Sequence, residues 1–251
     1  MVKEELRSLF GLLGKNISYS FSRGYFTEKF KSLNLKDHEY VNFDIQVIDE
    51  LYDILKRNEA NLKGMNVTIP YKEEVIPFLD KIDRKAKKIG AVNTIKITKS
   101  GKLKGYNTDF YGFRNSLKPL LKKEHKKALI LGTGGASKAI AYALKKLGIQ
   151  YTFVSRTKKN EKMLTYGELT ENIIKEYLLI VNTTPLGTHP NTSGKPDIPY
   201  NFITDKHILY DLIYNPSETL FLKLGKEKGA TIKNGLEMLE LQAEKAWEIW
   251  H

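Results

Sequence analysis

Six consecutive residues, Gly132-Thr133-Gly134-Gly135-Ala136-Ser137, lie where a short apolar run meets a helical pattern. The run is Ala128-Leu129-Ile130-Leu131; the pattern is Ala136, Ile140, Leu144 and Leu147, one face of a helix that Gly148 stops. The six residues approximate G-x-G-x-x-G with Ser137 in the last place. Glycines at a strand-to-helix turn let the backbone turn tightly and approach a pyrophosphate, whose charge meets the helix N-terminus. Gly132, Gly134, Gly135 and Ala136 are therefore candidate dinucleotide contacts, the plain alternative being a tight turn that binds nothing. The next strand, Tyr151 to Val154, runs into Ser155-Arg156-Thr157 and then Lys158 and Lys159. An NAD site places an acid near this point to hold the ribose 2′-hydroxyl, and none is present. A carboxylate would repel a 2′-phosphate, whereas a guanidinium and a hydroxyl would bind it, so the expected cofactor is NADP.

The first half offers a different set of polar groups. Ser18-Tyr19-Ser20-Phe21-Ser22 reads as an extended loop whose alternating serines present hydroxyls to one side, suited to a small anion or polyol. In Asn66-Val67-Thr68-Ile69-Pro70-Tyr71-Lys72 the spacing puts Asn66 and Thr68 on one strand face, with Lys72 just beyond the strand end. Gly90-Ala91-Val92-Asn93-Thr94 and Gly105-Tyr106-Asn107-Thr108-Asp109 frame a hairpin whose turn is Ser100-Gly101, and Asp109 closes it. Leu241-Gln242 lies in the last helix. Taken singly, each is as ordinary as a solvated charge or a turn amide. No metal site is expected: there is no Cys, and His38, His125, His189, His207 and His251 lack ligand spacing.

Strands and helices must alternate to hold these groups. Phe10 to Ile17 is expected as a first strand, Ile45 to Leu55 as a helix, and Met65 to Ile69 as a strand stopped by Pro70. Further strands are expected over Ala91–Thr98, Lys102–Tyr106, Tyr177–Asn182 and His207–Leu212, with an amphipathic helix over Leu236–His251. The fold class is α/β. Two domains are expected, over residues 1–110 and 111–235, with helix 236–251 packing back on the first.

The 251 residues carry 41 Lys+Arg against 29 Asp+Glu, a net charge of +12. Such a balance invites a nucleic-acid reading. Distribution argues against it: residues 1–110 hold 20 basic and 15 acidic side chains, and residues 111–251 hold 21 and 14, so the excess of +5 and +7 is diffuse. Lys also outnumbers Arg, and the densest run, Lys118 to Lys127, reads as a solvated connector. Apolar runs such as Leu178-Leu179-Ile180-Val181 after Tyr177 are too short to span a bilayer. Lys3, Glu4, Glu5 and Arg7 are unlike a signal peptide. A soluble cytoplasmic protein with small-molecule partners is expected, binding neither nucleic acid nor membrane, as a monomer or homodimer.

With these motifs assembled in order, the chain resembles the shikimate dehydrogenase family over nearly its whole length. Asn182-Thr183-Thr184-Pro185-Leu186-Gly187, Tyr210-Asp211-Leu212-Ile213-Tyr214-Asn215-Pro216 and Gly235-Leu236-Glu237-Met238-Leu239-Glu240-Leu241-Gln242-Ala243 agree as well. The resemblance implies an α/β substrate-binding domain over residues 1–110, a Rossmann-type doubly wound NADP-binding domain over 111–235 and an active site in the cleft between them. It also implies reversible reduction of 3-dehydroshikimate to shikimate in aromatic amino-acid biosynthesis. By resemblance, Ser20 and Ser22 hold the substrate carboxylate, and Thr68, Lys72, Asn93, Asp109 and Gln242 surround the ring hydroxyls. Lys72 and Asp109 match the catalytic pair, and either could transfer the proton. Tyr214 matches a residue near the substrate, Met238 one near the nicotinamide, and Ser155-Arg156-Thr157 the family's Asn-Arg-Thr phosphate clamp. The family usually has His and Pro flanking its two loop serines; here Tyr19 and Arg23 stand there. Two other readings are a quinate/shikimate dehydrogenase using NAD and a catalytically silent NADP(H)-sensing Rossmann protein. Arg156 and Thr157 argue against the first, Lys72 with Asp109 against the second.

Overall fold

Alternation of side chains along the first strand decides how the N-terminal half is built. In β1 (Ser8–Gly14), Leu9 and Leu13 enter one apolar core while Phe10 and Leu12 enter another, so both faces of the strand are buried. The computed structural model describes residues 7–18 and 20–251; Lys3, Glu4, Glu5 and Tyr19 lie outside these. The chain divides into two compact units, residues 1–108 with 243–251, and residues 109–242.

In the first unit β1 is followed by α1 (Phe21–Ser32), β2 (His38–Asp44), α2 (Leu51–Arg57), β3 (Leu62–Val67), β4 (Lys81–Ile82), α3 (Arg84–Ile89), β5 (Thr94–Ile97) and β6 (Leu103–Tyr106). The sheet order is β2-β1-β3-β5-β6-β4, with β2, β1 and β3 parallel, β5 antiparallel to β3, and β5–β6 an antiparallel hairpin. One core joins Leu9, Leu13, Leu51, Met65, Val67, Tyr71 and Ile95. The other joins Phe10, Phe26, Phe30 and Tyr40 to Ala243, Ala246 and Trp250.

Several expectations for this half need correction: the α-helix expected over Ile45–Leu55 is α2 at Leu51–Arg57, the strand expected over Met65–Ile69 ends at Val67, and that expected over Ala91–Thr98 is confined to Thr94–Ile97. The first strand stops at Gly14, three residues early, because the Asp44 carboxylate accepts the Asn16 and Ile17 backbone N–H groups (2.8 and 3.0 Å) and turns the chain. The serines do not alternate along an extended loop. Ser20 caps α1, its Oγ accepting the Ser22 N–H at 3.2 Å, and Ser22 sits in the first turn. Ser22, Phe26 and Phe30 then form a buried stripe at i, i+4 and i+8.

The second unit contains α4 (Asp109–Leu117), β7 (Lys127–Leu131), α5 (Gly135–Lys146), β8 (Gln150–Ser155), β9 (Leu164–Thr165), α6 (Glu171–Glu176), β10 (Leu179–Asn182), β11 (Ile208–Asp211), α7 (Leu220–Glu227) and β12 (Thr231–Lys233). The last helix, α8 (Leu236–Trp250), is shared, its residues through Gln242 belonging here. All six strands are parallel in the order β12-β11-β10-β7-β8-β9. This is the doubly wound order, with its reversal between β7 and β10. Leu129, Leu131, Ile180 and Leu209 pack on Phe221 and Leu222 of α7. Tyr210 points to the other face, against Phe113 (ring centroids 4.8 Å apart) and the Ser116 hydroxyl (2.7 Å) of α4. Among the described residues no helix is long and apolar enough to cross a membrane.

Trp250 anchors the chain's end in the first unit. Its ring contacts Phe10 and Phe26, and its indole N–H donates to the Ile95 carbonyl at 2.9 Å. Trp250→Ala is expected to lower unfolding stability by about 3–5 kcal/mol, the usual loss for a buried large aromatic. Urea unfolding followed by circular dichroism checks this; a loss within about 0.5 kcal/mol, typical of a surface change, would contradict it.

Candidate active site

In the first unit the candidate groups gather where β1 and β3 end. Thr68 follows β3 directly and its N–H donates to the Leu13 carbonyl (2.9 Å), extending the parallel pairing by one residue. The chain then turns through Ile69 and Pro70, closed by the Tyr71 N–H on the Thr68 carbonyl (2.9 Å). Tyr71 is buried with its hydroxyl on the Ile45 carbonyl (2.9 Å), and the next residue is the half-buried Lys72. The Lys72 carbonyl accepts the Val92 N–H at 2.7 Å, which ties Lys72 to the segment that carries Asn93.

Asn93 is the hub of this end. Its backbone carbonyl accepts the Val67 N–H (2.8 Å) and its N–H donates to the Tyr106 carbonyl (3.0 Å). Its Oδ1 accepts the Thr108 N–H (2.6 Å), and its Nδ2 donates to the Thr108 hydroxyl (3.0 Å). Asn66 joins through contacts of 3.4 Å to the Asn93 carbonyl and the Thr94 hydroxyl. Tyr40, which no sequence motif singles out, donates its hydroxyl to Asn66 Oδ1 at 2.8 Å and meets the Ser22 hydroxyl. Burial drives the Tyr40 phenol far above its ordinary pKa, so it stays a neutral donor. Asn66, Thr68, Lys72 and Asn93 thus lie on connected strand ends, which Tyr40 links to Ser22 in the first turn of α1, the helix that Ser20 caps.

In the second unit Asp109 is the first residue of α4 and is buried, rather than the end of a hairpin strand. One turn on, Gly112 meets α8: a Cβ there would overlap the Met238 carbonyl oxygen and lie 3.2 Å from Gln242 Cβ. Only glycine permits this approach, so α4 carries Asp109 on the stripe that packs beside Met238 and Gln242. Both are buried, and Gln242 Nε2 donates to the Leu239 carbonyl (2.9 Å). Tyr214 is half-buried in the loop after β11.

The glycine turn sits at the strand-order reversal. Gly132 has φ +104°, and a Cβ there would lie 2.9 Å from the Thr183 hydroxyl. Thr183 follows β10, donating its hydroxyl and N–H to the Leu131 carbonyl (2.7 and 2.9 Å), so the ends of β7 and β10 are stitched together. Its signal in the sequence is the Asn182-Thr183-Thr184-Pro185 run. Gly134 is different: its φ of −76° is open to any residue, and a Cβ would meet nothing within 4 Å. No side chain caps α5 there, so Gly134 leaves open space at the start of the helix that Gly135 and Ala136 begin, as a pyrophosphate requires. Ser155 ends β8, and Arg156 and Thr157 follow it, exposed. Arg156 forms no ion pair among the described residues, leaving its guanidinium available to a phosphate. The residues present fit NADP.

Beyond β10 and β11 a second network fixes the loops. The Asn182 amide donates to Asp211 Oδ1 (3.0 Å), and Asn182 Oδ1 accepts from the Thr184 N–H and hydroxyl (3.0 and 2.7 Å). The Thr219 hydroxyl and the Ile213 N–H complete the Asp211 carboxylate (2.6 and 3.1 Å). Burial pushes the Asp211 carboxyl up to about 6, partly offset by these three donors. No group of His, Asp and Glu side chains suited to a metal occurs among the described residues.

Comparison with known proteins agrees with the two-sheet α/β fold. The shikimate dehydrogenase substrate binding domain profile matches residues 12–95. Shikimate dehydrogenase (NADP(+)) of Carboxydothermus hydrogenoformans is 41% identical over 96% of this chain and 91% of its own length. The crystal structure of shikimate dehydrogenase from Aquifex aeolicus superposes with a TM-score of 0.87 at 37% identity, over 100% of this chain and 94% of that one. That of shikimate 5-dehydrogenase from Thermus thermophilus, in complex with NADP(H) and shikimate, gives 0.84 at 32% identity, over 96% and 92%.

The two glycines separate folding from binding. Gly132→Ala is expected to cost about 1–2 kcal/mol of stability through its left-handed backbone. Gly134→Val should melt as the wild type yet bind NADP+ at least about tenfold more weakly, measured by calorimetry. Unchanged affinity in Gly134→Val would contradict the assignment of this turn.

Proposed function

The chain belongs to the shikimate dehydrogenase family, and on that premise we propose that it catalyses the NADP-dependent, reversible reduction of 3-dehydroshikimate to shikimate in aromatic amino-acid biosynthesis. The observation that carries this reading is the agreement of a 41% identical NADP(+) enzyme over 96% of the chain with an acid-free β8 end carrying Arg156. In it the substrate-binding domain is residues 1–110 and the NADP-binding domain 111–235. The enzyme works in the cytoplasm on small molecules, as a monomer or homodimer.

The cofactor is held by Gly132, Gly134, Gly135 and Ala136 at its pyrophosphate, by Ser155, Arg156 and Thr157 at its 2′-phosphate, and by Met238 at its nicotinamide end. When bound it supplies the hydride for the carbonyl carbon. The remaining work falls to side chains of the chain itself. Ser20 and Ser22 take the substrate carboxylate through their hydroxyls. Thr68, Asn93, Tyr214 and Gln242 orient the ring by hydrogen bonds to its oxygens, which fixes the face presented to reduction. As the carbonyl oxygen gains negative charge, the Lys72 ammonium stabilises it. Lys72 and Asp109 are the catalytic pair, and the proton for the alkoxide comes from within that pair.

Formation of NADPH from shikimate and NADP+, followed by absorbance, tests the assignment. Lys72→Ala is expected to lower kcat by about 10²–10⁴ with less change in KM, the usual share of general acid–base catalysis. Turnover near that of the wild type would exclude Lys72 from the chemistry.

A further inference from the structure

Arg156 is not alone at the end of β8. It lines a cleft of about 530 Å³ together with Thr165, Tyr166, Gly167, Leu186, Lys195 and Asp197. Lys195 comes from the long segment after β10, some forty residues from Arg156, and no sequence motif points to it. We propose that Lys195 is a second phosphate-binding cation of this cleft, so that discrimination for the 2′-phosphate of NADP rests on Arg156 and Lys195 jointly. The inference rests on the NADP reading above and extends it to a residue outside the Ser155-Arg156-Thr157 clamp.

The charges around the cleft are not equivalent. Lys158, two residues beyond Arg156, is paired with Glu168 at 2.6 Å. Glu168 in turn accepts the Thr165 N–H (2.7 Å) and hydroxyl (2.9 Å), and these partners, Lys158 first, hold its carboxyl down at about 2. That ammonium is committed to a fixed anion. Arg156 and Lys195 form no ion pair among the described residues, and Lys195 lies over the Tyr200 ring, 4.9 Å from its centroid. The ring faces the lysine's aliphatic stem and its cation, so Lys195 is half-buried and held in place. Asp197 is the single acid lining the cleft, and two cations against it leave the cleft net positive. Tyr166 adds a phenol that burial keeps neutral, a donor rather than a charge. Leu186, 43% exposed, and the Tyr166 ring offer apolar walls of the kind a purine base can lie against. A dianionic phosphate on an adenosine matches that combination of two free cations and flat apolar walls.

Binding of 2′,5′-ADP and of 5′-AMP to the full chain, measured by calorimetry, isolates this cleft from catalysis. The wild type should prefer 2′,5′-ADP, and Lys195→Ala should reduce the ratio of the two affinities by about 10- to 150-fold, the range for loss of one charge-assisted contact. Lys195→Arg should restore the ratio. Lys158→Ala removes the same formal charge from the same side of the sheet but from an existing ion pair, and should leave the ratio within about twofold. A wild type that prefers 2′,5′-ADP while Lys195→Ala changes the ratio no more than Lys158→Ala would overturn the role of Lys195 and spare the NADP reading. Equal binding of the two nucleotides by the wild type would overturn both.

Discussion

A side-chain amide buried at the end of a strand must have its hydrogen bonds met from inside the protein. Two asparagines impose that constraint here, Asn93 in the first unit and Asn182 in the second, 3% and 0% exposed. Asn93 is met by Thr94 and by both the N–H and the hydroxyl of Thr108, which draws the chain after β6 back onto β5. Asn182 is met by Thr184 and by Asp211, which in turn holds Thr219 and the backbone of Ile213. Asn93 thereby fixes the segment that leads into Asp109, and Asn182 with Asp211 fixes the loops after β10 and β11. Leaving either amide unmet would cost about 1–3 kcal/mol, a large part of a domain's net stability, so these loops are fixed by folding itself.

The second unit is the more legible from sequence. Its β7–α5–β8 passage combines a buried apolar strand, helical periodicity and a glycine turn, and each signal alone implies the same unit. The motif residues are legible too, because Asn, Thr, Lys and Asp at strand ends have no packing reason to be there. Several helices are not, α1 and α4 among them. α1 and α4 both contain a glycine and several aromatics, Gly24 with Phe21, Tyr25, Phe26 and Phe30, and Gly112 with Phe110, Tyr111 and Phe113. Such residues favour strands or loops locally, and only burial of the aromatic stripe makes the segments helical. Ser20 therefore reads as part of an extended loop in the sequence when it caps a helix in the fold. Tyr40 and Lys195 carry no local signal, since their neighbours come from distant parts of the chain.

The excess of positive charge acquires a narrower meaning. Many of the lysines are exposed and several, such as Lys127, Lys158 and Lys226, are paired with glutamates, where they do little for stability. The proposed substrate and cofactor are both anionic, and a diffuse positive field raises their encounter rate at low salt without choosing between them. Choice of cofactor falls to Arg156, with Lys195 as proposed, and above all to the absence of a carboxylate where β8 stops.

The measurement that tests these assignments most directly is the initial rate of shikimate oxidation with NADP+ beside NAD+, and with quinate in place of shikimate. The expected kcat/KM is at least about tenfold higher with NADP+ than with NAD+, since one charge-assisted phosphate contact is worth that much. Shikimate should turn over faster than quinate. Equal efficiency with the two cofactors, or a preference for quinate with NAD+, would contradict the proposed function.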